Sequence, residues 1–187
     1  SSNGILKKKS FISTGKNVYY VNALGRLVKG WYTVNGKRYY STADTVSASS
    51  GAPTTGARVK GWQMIDGKKY YFNSKGVLRT TVGWFDTSKT GTYYISGDAN
   101  VLTGWQNING AWYYFSTDSA TLGQVLTGWQ TLDGNKYYFR PSTTDYGRKG
   151  SMVTGRVSIG GTVYNFGTNG VLVMDYTYLA YCGTAVY

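Results

Sequence analysis

Short segments of strand-forming and aromatic residues alternate along this chain with two-residue turn signals. In Gly61-Trp62-Gln63-Met64-Ile65-Asp66-Gly67-Lys68-Lys69-Tyr70-Tyr71-Phe72, one such segment stands on either side of Asp66-Gly67. Asp-Gly and Asn-Gly accept the positive φ of a type I′ turn, whose twist matches that of the strands it joins. The same slot holds Asn35-Gly36, Asn109-Gly110 and Asp133-Gly134, with looser versions at Thr14-Gly15, Thr90-Gly91 and Gly160-Gly161. The pattern predicts a β-hairpin at each of these places.

The hairpins are copies of one unit. Gly-Trp recurs at 30–31, 61–62, 83–84, 104–105 and 128–129, with a degenerate start at Gly155-Arg156. Tyr-Tyr recurs at 19–20, 39–40, 70–71, 93–94, 113–114 and 137–138, and Tyr164-Asn165 is a weakened seventh copy. Side chains alternate across a strand, so Tyr70 and Phe72 share one face and Tyr71 takes the other. A lone hairpin is marginal in water, so one face has to pack on the adjacent copy. The fold expected is all-β: a solenoid of stacked β-hairpins, about six to seven repeats of roughly 21–31 residues, with an aromatic core file. Residues 1–10 read as a lead-in, 11–170 as the array and 171–187 as a C-terminal capping segment. Two polar stretches, 41–58 and 140–151, read as enlarged connections, either passive insertions or walls of a binding site.

Composition narrows the chemistry. The chain has no His and a single Cys, Cys182, and all eight of its acids are Asp. That excludes a Ser-His-Asp triad, a Cys-His dyad, a His-ligated metal and an internal disulfide. No cofactor or metal is expected, and the turn residues Asp66 and Asp133 need no calcium. Cys182 reads as a small buried apolar residue. No apolar run is long enough to span a membrane. No signal segment is read at the start, and Ser1 in place of Met points to a processed or excised fragment. The net charge of +12 suggests an anionic partner or simply a soluble surface. Its cations are scattered, unlike the dense stripe of a nucleic-acid binder.

The unit Gly-Trp-Gln-x-Ile/Leu-Asp/Asn-Gly-x-x-Tyr-Tyr-Phe resembles the cell-wall-binding and glucan-binding repeats of Gram-positive bacteria. Such repeats occur in choline-binding modules, in phage lysins, beside glucansucrase domains and in large clostridial toxins. The resemblance spans about residues 11–170 and is most specific in the units starting at Gly61, Gly104 and Gly128. It implies a β-solenoid without catalytic activity that attaches a larger protein to a polymer. It also implies a secreted or cell-surface location in a Gram-positive bacterium or its phage, and a monomer attached to that larger protein.

In glucan-binding repeats the resemblance implies a Gln and a Lys on sugar hydroxyls and a Tyr stacked on the pyranose. The matching sets are Gln63, Lys69 and Tyr71; Gln130, Lys136 and Tyr138; Gln106 and Tyr114, with Trp112 in place of Lys; and Arg38 with Tyr40. Choline-binding repeats instead imply a cage of three aromatics around a quaternary ammonium. The residue before Tyr-Tyr is then a Trp, and only Trp112 fits; Arg38, Lys69 and Lys136 would repel the ligand. The one cage expected is Trp105, Trp112 and Tyr138. Each of these residues also has a structural reading. The Trp of Gly-Trp packs between copies, the first Tyr belongs to the core, and Gln and Lys are solvated strand residues. The expected function is a non-catalytic carbohydrate-binding module for a glucan or related polysaccharide. The alternative is a wall anchor for choline-decorated or anionic teichoic-acid polymers. A spacer or host-receptor adhesin without a small ligand is a further possibility; an enzyme is disfavoured because no Asp is singled out by its setting.

Overall fold

A computed structural model describes residues 6–43 and 55–175. Cys182, most of the expected cap and much of the 41–58 connection lie outside the described residues. The described chain is all-β, without helices, and divides into two compact units. One holds the residues up to Gly83 together with Ile95–Val101; the other holds Trp84–Tyr94 and the residues from Leu102 onward.

The first unit carries three hairpins: β1 (Ser10–Thr14) with β2 (Asn17–Val21), β3 (Gly30–Val34) with β4 (Lys37–Ser41), and β5 (Gly61–Ile65) with β6 (Lys68–Phe72). The second carries most of β7 (Gly83–Thr87) and β8 (Gly91–Ile95), then β9 (Gly104–Ile108) with β10 (Ala111–Phe115) and β11 (Gly128–Leu132) with β12 (Asn135–Phe139). It ends in a three-stranded sheet of β13 (Gly155–Ile159), β14 (Thr162–Phe166) and β15 (Leu172–Asp175). Within each unit, successive hairpins stack as solenoid coils.

The turns follow from backbone chemistry. Asn35, Asp66, Asn109 and Asp133 all take φ of about +50°, and each is followed by a Gly at positive φ. Both central residues in the left-handed region define the type I′ turn, and Asn and Asp tolerate that region better than other side chains. Two turns differ from the sequence expectation. In the first hairpin Thr14 pairs with Asn17, so the turn is Gly15-Lys16 rather than Thr14-Gly15. Between β7 and β8 three residues, 88–90, form the loop instead of Thr90-Gly91. There the Thr87 hydroxyl accepts the Thr90 N–H (3.1 Å) and donates to the Gly91 carbonyl (3.0 Å), which braces the longer loop.

A two-residue turn fixes the register. Trp62 lies opposite Tyr71, Gln63 opposite Tyr70 and Met64 opposite Lys69. The same register recurs in the hairpins of Trp31, Trp105 and Trp129. Opposed residues share a face, so one face carries Trp and the second Tyr, and the other carries Gln and the first Tyr.

The residue after Tyr-Tyr forms the core: Phe72, Phe115 and Phe139 are fully buried, and Ile95, Ser41 and Phe166 nearly or wholly so. The Trp face of each hairpin closes this core against the next. Trp105 makes an edge contact with its own Tyr114 (5.2 Å between ring centres) and with Tyr137 of the following hairpin (5.0 Å), and it reaches Phe139 (5.8 Å). Trp31 repeats this with Tyr40, Tyr70 and Phe72, Trp84 with Tyr94, Tyr113 and Phe115, and Trp129 with Tyr138, Tyr164 and Phe166. Edge-to-face pairs at these distances add about 0.5–1.5 kcal/mol each beyond the buried area.

A backbone staple holds the stack. The N–H of Leu78, in the connection after β6, donates to the carbonyl of Arg38, the residue before Tyr-Tyr one repeat earlier (2.8 Å). Arg58 does so to Val18, Val101 to Lys69, Val125 to Thr92 and Met152 to Trp112, all within 2.7–3.0 Å.

If the Trp is the joint, Trp129→Ala should lower the unfolding free energy by about 3 kcal/mol, near the low end for truncating a buried aromatic because the ring is only half-buried. Urea unfolding followed by circular dichroism reads this out; a change under about 0.5 kcal/mol would show that the ring is not the joint.

Candidate functional site

The residue before each Tyr-Tyr sits on the Trp face, one strand position beyond the Trp–Tyr pair in the pleat, with its carbonyl fixed by the staple just described. Its side chain therefore has one outlet, over the indole of its own hairpin. Arg38 Cζ lies 4.3 Å from the Trp31 ring centre, Lys69 Nζ 4.9 Å from Trp62 and Lys136 Nζ 4.6 Å from Trp129. Each cation covers its indole at cation–π distance, where it attracts the negative ring face.

The hairpin of Trp84 has Thr92 at this position, and Thr92 turns its hydroxyl to Asp86 Oδ1 (2.6 Å). The missing cation comes from the 140–151 connection. Arg148 Cζ lies 4.3 Å over Trp84, and its guanidinium pairs with the Asp86 carboxylate at 3.6 Å. Burial raises the phenol of Tyr113, which borders the same indole, above its ordinary pKa, and Arg148 opposes that rise. The connection is thus no passive insertion: its Arg148 covers Trp84.

Trp105 is different. Among the described residues no cation lies over it. Trp112 stands in the cation's place, 6.4 Å away between ring centres and turned by 80°. Trp112 is 45% exposed, the most open of the described Trp residues that face their own hairpin's indole. Trp105, Trp112 and Tyr137 form three aromatic walls of a cavity of about 320 Å³, completed by Met152 and Asn169. A largely apolar cavity of this size fits a small ligand. The walls present ring faces and a thioether and no ionised group, so they suit a cation with an apolar shell.

The expected residues divide accordingly. Trp105 and Trp112 come together as expected. Tyr138 does not join them, because it lies on the opposite face of β12 against its own Trp129 (5.1 Å). Tyr137 is the third wall. The Gln–Lys–Tyr sets do not converge. Gln63 is opposite Tyr70, on the reverse face from Lys69 and Tyr71, and Gln130 is likewise opposite Tyr137, away from Lys136 and Tyr138. The Gln amides are also engaged: Nε2 of Gln63, Gln106 and Gln130 donates to the carbonyls of Lys60, Thr103 and Thr127 at 2.8–2.9 Å. They clasp the corner where Gly61, Gly104 and Gly128 take φ near +70°. Tyr40, Tyr71, Tyr114 and Tyr138 each pack edge-on to their own Trp. The two-residue turn register would have revealed this division, since it fixes which residues are opposed. Arg148, Met152 and Asn169 carry no such signal, because they arrive from connections. No group of His, Cys, Asp or Glu among the described residues could hold a metal ion.

Residues 29–44, 60–78, 103–118 and 127–142 match the family described as the putative cell wall binding repeat. These windows take in the hairpins of Trp31, Trp62, Trp105 and Trp129. The crystal structure of choline binding protein F from Streptococcus pneumoniae, in the presence of a peptidoglycan analogue, is similar over 88% of this chain and 52% of its own, at 27% identity and a TM-score of 0.67. The structure of CbpJ from Streptococcus pneumoniae is similar over 84% of this chain and 56% of its own, at 28% identity and a TM-score of 0.52. The chain spans about half the length of these structures. No curated protein matches it.

Arg148→Ala should remove the cover from Trp84. It should cost about 1 kcal/mol, the usual scale for a part-exposed cation–π contact and ion pair, and move the Tyr113 phenol further up. Tyrosinate absorbance against pH checks the second effect; an unchanged or downward titration would contradict the assignment.

Proposed function

We propose that this chain, a member of the putative cell wall binding repeat family, is a non-catalytic module that attaches a larger secreted or surface protein to a Gram-positive cell-wall polymer, and that its open cage takes a quaternary ammonium such as choline. One observation carries the ligand reading. Of the five Trp residues in Gly-Trp corners, four are covered by an internal cation and Trp105 is walled by Trp112 and Tyr137 instead. The covering cations act as built-in ligands of the same chemistry, so the indole face is matched to a cation and only one is left for a guest. The similar structures of choline binding protein F and CbpJ support the same class of ligand.

The glucan reading keeps the attachment role but draws on a different set of residues. It needs Gln, Lys and Tyr on one sugar ring, and in this chain Gln lies on the reverse face with its amide nitrogen bonded to backbone. A single aromatic cage binds a small ammonium weakly, since a ligand of few atoms has little surface to bury. Strong retention on a polymer then depends on further contacts or on several linked sites.

The test is a Trp-fluorescence titration with choline chloride beside one with α-glucan oligosaccharides. Choline should give a saturable change that Trp112→Lys weakens at least tenfold, because the substitution installs the cover found in the other hairpins, a loss of about 1.4 kcal/mol. Its thermal midpoint should stay close to that of the parent chain, since the other repeats fold with Lys there. A saturable response to the glucan alone would overturn the choline reading and leave the polysaccharide one.

A further inference from the structure

Beside the cage, the 140–151 connection builds a second cavity that the repeat pattern does not account for. Trp112 and Met152 form walls of both cavities. The second, of about 450 Å³, is otherwise polar and is bordered by Arg140, Tyr146, Ser151 and Thr168. Arg140 also borders a third cavity of about 430 Å³, with Arg156 on its far side. Apolar cage, Arg140 cavity and Arg156 cavity therefore follow one another, each sharing wall residues with the next.

The charge here is one-sided. From 140 to 156 the chain carries Arg140, Arg148, Lys149 and Arg156 against one carboxylate, Asp145. Arg148 is committed to Trp84 and Asp86. Arg140 is not: among the described residues its guanidinium has no carboxylate partner. It is half-buried and packs along Gly147, whose φ of +149° leaves no side chain in the way; a Cβ there would stand 2.9 Å from Arg140 Nε. The guanidinium is thus held beside the cage by a backbone that only glycine makes room for. A planar guanidinium with free donors suits a phosphate, which it can grip by two parallel hydrogen bonds.

We propose that Arg140 forms an anion subsite coupled to the cage, so that the preferred ligand is a phosphate ester of choline, with the ammonium against Trp105, Trp112 and Tyr137 and the phosphate at Arg140. This rests on the cage reading above. An ammonium and a phosphate joined by a two-carbon link bridge adjoining sites, and the shared walls Trp112 and Met152 are the span between them. A phosphodiester chain would continue toward Arg156.

The test uses the whole chain and compares choline chloride with phosphocholine by isothermal titration calorimetry. Phosphocholine should bind about five- to tenfold tighter at low ionic strength, with the advantage shrinking as salt is added. Arg140→Gln should abolish the advantage while leaving choline binding unchanged, and Arg140→Lys, which keeps the charge, should retain part of it. Retention on phosphatidylcholine vesicles would assign the ester to a lipid, and retention on a phosphocholine-bearing soluble polymer alone to a wall; both support the subsite. Equal binding of the two ligands, or an advantage that survives Arg140→Gln, would overturn the subsite and leave the cage standing. Binding of neither ligand would overturn the cage, and the subsite with it.

Discussion

A two-stranded hairpin has two faces and nothing between them, so it cannot bury a side chain by itself. In this chain the Trp of each Gly-Trp corner supplies what the hairpin lacks. It packs edge-on against a Tyr of its own hairpin and against the first Tyr and the Phe of the next, as Trp105 does with Tyr114, Tyr137 and Phe139. The fully buried Phe residues owe their burial to that ring. Aliphatic residues are correspondingly few, because the interior is a series of aromatic joints and each joint depends only on its neighbours.

The site is a by-product of the joint. An indole wedged by its edges between two hairpins keeps part of one face open to the side. The residue before Tyr-Tyr stands over that face because the register puts it there and the staple to the next connection fixes its carbonyl. Lys or Arg at that position contributes a cation–π contact of about 0.5–1 kcal/mol and screens an exposed apolar surface. Trp at the same position leaves a pocket. The choice between cover and cage is thus a single side chain on an unchanged backbone.

Much of this was legible in the sequence. The seven hairpins, their stacking and the aromatic core follow from Asp/Asn-Gly, Gly-Trp and Tyr-Tyr at a constant phase, and Trp112 stands out as the one aromatic in a position otherwise held by cations, Val or Thr. The error in the Gln–Lys–Tyr sets was one of register: counting outward from Asp66-Gly67 puts Gln63 opposite Tyr70, not Tyr71. The same count replaces Tyr138 by Tyr137 as the third wall. Arg148 and Arg140 were out of reach for a different reason. They belong to a non-repeating connection, and which indole or cavity such a residue meets depends on how the connection folds back, which no periodicity encodes.

The covers also explain why so many cations coexist with an ammonium-binding chemistry. A Lys or Arg tethered a few bonds from its indole is present at a high effective concentration, and a soluble ammonium has to displace it without any tether of its own. At Trp31, Trp62, Trp84 and Trp129 the internal cation therefore holds the face, and at Trp105 no competitor is tethered. A net charge of +12 would repel a bare cation from the whole surface. It favours a guest that carries an anion alongside its ammonium, and the charge that disfavours free choline becomes an attraction for choline displayed on an anionic polymer.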